Sequence, residues 1–185
     1  MGQLEFDRLI SVAAVATTNK SLKVAAAELL ASLGYTRWIY ASENPYGALG
    51  FPATLANDYG MWMLAYMSKG YMKVDPVVVH CRSSAEPLLW DAREGWDESN
   101  EKLRAMMNDA VGHGFGSGLA IPLRLPGEPQ GLLHVTSPAP LQESRAQFEE
   151  TLPRLQQIGQ TMHTVMIRIM KETAMYHQKA EERQS

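Results

Sequence analysis

Apolar positions in this chain recur with two periods, and the switches between them mark its elements. Leu4, Leu9, Ile10, Val12, Ala13 and Val15 fall at roughly helical spacing and predict a first helix over residues 4–16. Ser21 is a candidate cap for a second helix, which runs through Val24, Ala25, Leu29 and Leu30 and stops at Gly34. Tyr35 to Ser42 is aromatic and β-branched, and predicts a strand. Residues 43–52, ENPYGALGFP, read as a loop with at most a short strand. Helical spacing resumes over 55–69. Asp75-Pro76 then opens a short apolar segment, since proline suits a first helical turn. Residues 97–111 predict a helix ending at Gly112. Gly118 to Leu125 and Gln130 to Ser137 predict two strands around a PGEP turn. Residues 141–180 carry one long helical pattern, with an interruption expected near Pro153.

The predicted order is helix, helix, strand, loop, helix, helix, strand, strand, helix. Consecutive strands joined by a turn imply an antiparallel sheet, and the helices must cover it. The expected class is α+β: an α-β-α sandwich with a central antiparallel sheet flanked by helices, like PAS and GAF domains.

Composition narrows the function. The 185 residues suit one domain, and 45% hydrophobic with 20% charged is an ordinary globular balance. A net charge of -3 advertises no nucleic-acid surface on this part. The single cysteine, Cys81, has no internal partner and fits a reducing compartment. The N-terminus carries acids before its apolar stretch and reads as a helix, not a signal peptide. Apolar runs fall short of the ~18–20 residues of a membrane span. The expectation is a cytoplasmic protein with no membrane association.

The chemistry concentrates in one run, DYGMWMLAYMSKGYMKVDPVVVHCRSSAEPLLWD. Trp62 and Tyr66 stand four apart and share a helix face. Asp75 follows at the end of the segment, and Trp90 lies fifteen residues on. An indole N–H donates only, and an ionised carboxylate accepts only. Two aromatics with polar tips and one acid therefore suit a small amphiphile. Taken singly, Trp62 and Tyr66 read as core aromatics and Asp75 as a helix cap.

This ordered set resembles the ligand-binding domain of LuxR-type quorum-sensing receptors, which bind acyl-homoserine lactones. GLAIPLRLPGEPQGLLHV, residues 118–135, resembles that family's strand pair, and ASLGYTRWIYAS resembles its first strand. The resemblance covers roughly residues 5–175. It implies a lactone carbonyl on Trp62 and an amide N–H on Asp75. Tyr66 and Trp90 then line the head and acyl groove, and Phe115 and Leu132 complete the expected lining. Three positions depart from the family pattern. Where the family often has a tyrosine four residues before the motif tryptophan, this chain has Asp58, with Tyr59 next to it. Val77 stands where some relatives carry threonine. His134 stands where relatives often place serine or threonine, and a histidine offers a donor for the acyl carbonyl.

By the same resemblance, residues 1–175 are the autoinducer-binding domain and 176–185 begin a linker. DNA contact would then require a helix-turn-helix domain absent from this chain. Two origins are open: a sensor cut at its linker, or a natural receptor-only protein that forms inactive heterodimers. No cofactor other than the lactone is expected. A GAF- or PAS-type sensor of another small molecule is the alternative function.

An enzyme is disfavoured. Cys81 beside His80 does not make a nucleophile–base pair, because adjacent side chains diverge on a helix or strand. The five histidines show no metal-ligand spacing. The GHGFGSG run follows a helix and precedes a strand, the reverse of a phosphate loop, and reads as a helix stop and flexible connection. Leu155, Ile158, Met162, Val165 and Ile169 form a heptad-like stripe. It suits either docking on the sheet or a homodimer interface, and a homodimer is expected.

Overall fold

A computed structural model describes residues 2–46, 52–97 and 99–182. Its elements are helices α1 (Gln3–Ala14), α2 (Asn19–Ser32), α3 (Gly60–Ser68), α4 (Pro76–Ser83), α5 (Glu101–Gly112) and α6 (Leu141–Glu182). The strands are β1 (Trp38–Ser42), β2 (Ala53–Asn57), β3 (Leu88–Asp91), β4 (Ser117–Leu123) and β5 (Gly131–Ser137). Part of the expected 43–52 loop, residues 47–51, lies outside the described residues, as do residues 183–185 of the expected linker.

Every strand pairing is antiparallel, in the order β2-β1-β5-β4-β3. The expected α-β-α sandwich follows from alternation along these strands. Trp38 and Tyr40 on β1, Leu119, Ile121 and Leu123 on β4, and Leu133 and Val135 on β5 join one buried core with α1, α2 and α6. The intervening positions, among them Ile39, Ala120 and Leu132, face α3, α4 and α5 in a second core. Consecutive side chains leave a strand on opposite faces, so one sheet serves two cores.

Two strands depart from expectation. Leu55, Ala56 and Asn57, expected inside the helix over 55–69, pair with β1 as part of strand β2, and the helix starts only at Gly60. Alanine and leucine are good helix formers, and tertiary pairing overrides that preference. Strand β3 is a four-residue apolar stretch, LLWD, too short to show a period. The cap of α2 is Thr18, whose side chain accepts from the Ser21 backbone N–H, while Ser21 answers the Thr18 N–H. Helix α5 is capped by Asn100.

Pro153 lies inside α6 without breaking it. It stands exposed, one turn after exposed Glu149, so the carbonyl that loses its N–H partner lies on the solvent side. The heptad-like stripe is committed to the chain's own core: Leu155, Ile158, Met162, Val165 and Ile169 are 0–8% exposed. That stripe is not a free dimer face. Part of the glycine run is packed against backbone rather than loose. A side chain at Gly116 would collide with the Pro138 carbonyl oxygen.

Candidate functional site

Between the sheet and α3–α5 lies a cavity of about 620 Å³. Its floor is the second face of the sheet: Ile39 and Ala41 of β1, Ala56 of β2, Leu132 and His134 of β5. Trp62, Tyr66, Asp75, Val77, Tyr59, Phe115 and Trp90 line it as well. Nine of the ten residues singled out in the sequence thus surround one space. The exception is Asp58.

Trp62 is held by rings on several sides. Its centroid lies 5.7 Å from Tyr66, 6.0 Å from Tyr71, 5.6 Å from His113 and 5.7 Å from Phe115. Such packing fixes the indole at little entropic cost. No hydrogen bond among the described residues uses its N–H.

Asp75 combines the two roles left open by the sequence. It is the N-cap of α4, where Oδ1 accepts from the Val77 backbone N–H at 2.8 Å and Pro76 takes the first helical position. Its Oδ2 accepts the Tyr66 hydroxyl at 2.7 Å. Burial raises its pKa, and the Tyr66 and Val77 bonds oppose that only in part. Burial and the neighbouring carboxylate likewise push the Tyr66 phenol up, so it stays a donor. With the Tyr66, Val77 and Val78 donors on four lone-pair sites, one remains for a further donor. The segment leading to Asp75 is anchored from α5: the Tyr71 hydroxyl donates to Asp109 at 2.6 Å, and Lys69 pairs with the same oxygen at 2.5 Å.

Asp58 faces away. It is not helical but sits in the left-handed region at φ 55°, which aspartate tolerates better than most residues. Its carboxylate accepts from Arg37 Nε at 2.8 Å in an exposed ion pair. The turn brings the next residue, Tyr59, into the cavity wall at 7% exposure. Expecting both on one helix missed this, because the strand-to-helix turn falls between them.

His134 occupies the rung between Ile39 and Ala120. The Trp90 indole N–H donates to its Nε2 at 2.8 Å, and the Tyr59 hydroxyl oxygen lies 3.4 Å from its Nδ1. Desolvation pushes the imidazole pKa down to about 3, so the ring is neutral. An indole only donates, so Nε2 is the bare nitrogen and Nδ1 carries the proton. Neither nitrogen is free, which departs from the expectation of a histidine with a donor to spare. Gly118 makes the contact possible: a Cβ there would lie 2.5 Å from Trp90 Nε1 and 2.7 Å from His134 Nε2.

The sequence reading missed a methionine wall. Met63 and Met67 from α3, Met72, and Met106 and Met107 from α5 all line the cavity. Eleven methionines in 185 residues were the available signal. Their unbranched thioethers fit irregular contents. Elsewhere, Cys81 is buried and its thiol is pushed up to about 12 by desolvation, so it is inert. Among the described residues no group of His, Cys, Asp or Glu is placed to hold a metal, and no helix is long and apolar enough to cross a membrane.

Known proteins share this architecture. The chain is similar to the N-acylhomoserine lactone dependent LuxR family transcription factor CepR2 of Burkholderia cenocepacia, with a TM-score of 0.74 at 17% identity over 90% of this chain and 95% of that one. SdiA in complex with octanoyl-rac-glycerol gives a TM-score of 0.64 at 16% identity, covering 90% of this chain and 66% of that chain. A phycoerythrobilin-bound GAF domain from a cyanobacterial phytochrome gives 0.53 at 13% identity, covering 91% of this chain and 98% of that chain. These likenesses establish the fold. In sequence, the transcriptional activator protein AnoR of Acinetobacter nosocomialis is 24% identical over 144 residues, 76% of this chain and 58% of AnoR. The quorum sensing-dependent regulator RpaR of Rhodopseudomonas palustris is 32% identical over 97 residues, 51% of this chain and 40% of RpaR. The chain thus spans about half the length of such relatives. The profile of the autoinducer binding domain matches residues 18–166, most of the chain. That family is a ligand-binding domain of transcriptional regulators, not an enzyme. By that match the chain belongs to the autoinducer-binding domain family of LuxR-type regulators.

Proposed function

We propose that this chain is the sensory domain of a quorum-sensing transcription regulator and that it binds an N-acyl-homoserine lactone in the cavity described above. One observation carries the reading: an unused indole N–H on Trp62 and a buried acceptor on Asp75 line the same apolar space. The lactone carbonyl accepts from Trp62, and the ligand amide N–H donates to Asp75. The Tyr59 hydroxyl donates to the acyl carbonyl. Tyr66 orients Asp75, and Val77, Phe115, Trp90 and Leu132 contact the chain. Each matched polar group avoids a penalty of about 1–3 kcal/mol for burial without a partner.

Nothing is transformed. Binding fills the second core and stabilises the folded state by mass action. In a complete regulator, DNA contact belongs to a helix-turn-helix domain outside these residues. We propose that such a regulator acts as a homodimer in the cytoplasm. The exposed residues Met175 and Tyr176 near the end of α6 are available to a partner, unlike the buried stripe before them.

Thermal unfolding and native mass spectrometry with a panel of homoserine lactones test the reading. A rise in melting temperature with a one-to-one mass increment is expected for at least one acyl length. Absence of both across short, medium and long chains overturns it.

A further inference from the structure

The donors on the sheet wall of the cavity are largely committed to one another. Trp90 N–H is used by His134 Nε2, which assigns the His134 proton to Nδ1 and points it at the Tyr59 oxygen. The Tyr59 hydroxyl proton is the one donor left in this chain of contacts, and Thr136 lies within its reach. Around them the floor is apolar: Ile39, Ala56 and Ala120 share the His134 rung, and Ala41 and Leu132 form the next. The hydroxyl of Thr54 on that second rung is turned to the Pro52 carbonyl at 3.3 Å. Tyr66 gives its proton to Asp75.

We infer that His134, by locking Trp90 and Tyr59 into this closed set, makes the pocket select an acyl chain carrying no oxygen beyond the amide carbonyl. The inference rests on the lactone-binding function proposed above. The amide carbonyl takes the Tyr59 proton. A second oxygen, keto or hydroxyl, leaves water for these two rungs, where the imidazole is already engaged and the neighbours are mostly apolar; the cavity's other polar side chains, Arg82 and Gln130 among them, lie off these rungs. A threonine or serine in place of His134 would leave the Trp90 N–H open toward the cavity instead. The selectivity thus comes from a bond between two protein side chains, not from a missing polar residue.

N-octanoyl, N-3-oxo-octanoyl and N-3-hydroxyoctanoyl homoserine lactones are the probes, with dissociation constants measured on the parent chain, on Trp90→Phe and on His134→Thr. The parent is expected to bind the octanoyl lactone at least roughly tenfold tighter than either oxygenated one, as one unmatched polar group predicts. Trp90→Phe keeps the ring and leaves Nε2 open, and His134→Thr frees the indole N–H. In folded His134→Thr the gap is expected to shrink to about threefold or less for both oxygenated lactones, and in folded Trp90→Phe for the hydroxy one, whose proton the bare Nε2 accepts. A parent that binds either oxygenated lactone as tightly as the octanoyl one overturns the inference. So does an unchanged gap in the folded variants. Binding of none of the three by the parent overturns the lactone reading itself, and this selectivity with it.

Discussion

The bond from Trp90 to His134 ties the end strand β3 to β5 across the whole width of β4. It passes over Gly118, the β4 residue that pairs with Trp90 on one side and Thr136 on the other. Both partners are large and polar, and both rest on a position with no side chain. Gly118→Ala should therefore be among the most damaging single-methyl changes in the protein. Displacing the indole and the imidazole together is expected to cost on the order of 1–3 kcal/mol, the range for overpacking, with loss of ligand response. Chemical denaturation of the two proteins measures it, and equal midpoints would contradict the crowding at that site.

The neutral state of His134 sets an acid limit on the fold. Its folded pKa is about 3, below the ordinary 6.5, so the unfolded chain binds the proton more readily. The stability that follows is fully present above pH 6.5 and is lost as pH falls through 6.5 toward about 3. Burial shifts His163, which pairs with Tyr40 at 2.9 Å in the other core, in the same direction. Stability against urea should drop through this range, and His134→Gln should flatten part of the drop. An identical pH profile for parent and variant would remove His134 as the source.

Asp75 behaves in the opposite sense. Desolvation raises its folded pKa above the ordinary 3.8, so its charged form costs stability once pH rises through that raised value. A ligand N–H relieves the charged form, so lactone affinity should weaken as pH falls into the range where Asp75 takes up its proton. Asp75→Asn keeps the cap and removes the charge. It should leave the empty protein as stable as the parent or more so, while weakening binding by about 1–3 kcal/mol. Calorimetric titration across pH checks both effects, and equal affinity of variant and parent would exclude Asp75 from the ligand.

Trp62→Phe keeps the ring among its aromatic neighbours and deletes one donor. The expected loss is on the order of 1 kcal/mol in ligand affinity with little change in the melting temperature of the empty protein. In a double cycle, an analogue lacking the lactone carbonyl should bind the variant and the parent equally. A further loss with that analogue would show that the indole meets another group.

Val165→Asp tests what α6 is for. Val165 is 3% exposed within the chain, so a carboxylate there meets the helix-and-sheet core and not a partner. The outcome should be unfolding, at a cost well above ~3 kcal/mol. A folded monomer by sedimentation would instead identify the stripe as a dimer seam.

The sequence disclosed what is local. Trp62 and Tyr66 are one helical turn apart, and Asp75 announces itself by the proline after it, so this part of the pocket is written in a single stretch of chain. Strands β2 and β3 were hidden because their partners lie elsewhere: Leu55 is in a strand only because Tyr40 pairs with it. The outward turn of Asp58 depends on one backbone angle that no spacing reveals. The proton on His134 is assigned by a tryptophan 44 residues earlier. Recognising the histidine as unusual was possible from the chain alone, and recognising that it is already satisfied was not.

The five methionines around the cavity put a redox liability at the heart of the receptor. A thioether that takes up one oxygen becomes a polar sulfoxide, which brings a strong acceptor into a wall built of apolar surface. Met106 and Met107, 4% and 5% exposed, would carry that oxygen on nearly buried side chains. Mild peroxide should therefore blunt the lactone response before it unfolds the chain, and methionine sulfoxide reductases should restore it. Peptide mass mapping alongside the binding assay follows both, and full response in a chain oxidised at these positions would refute it. A cell using such a sensor would count its neighbours poorly during oxidative attack.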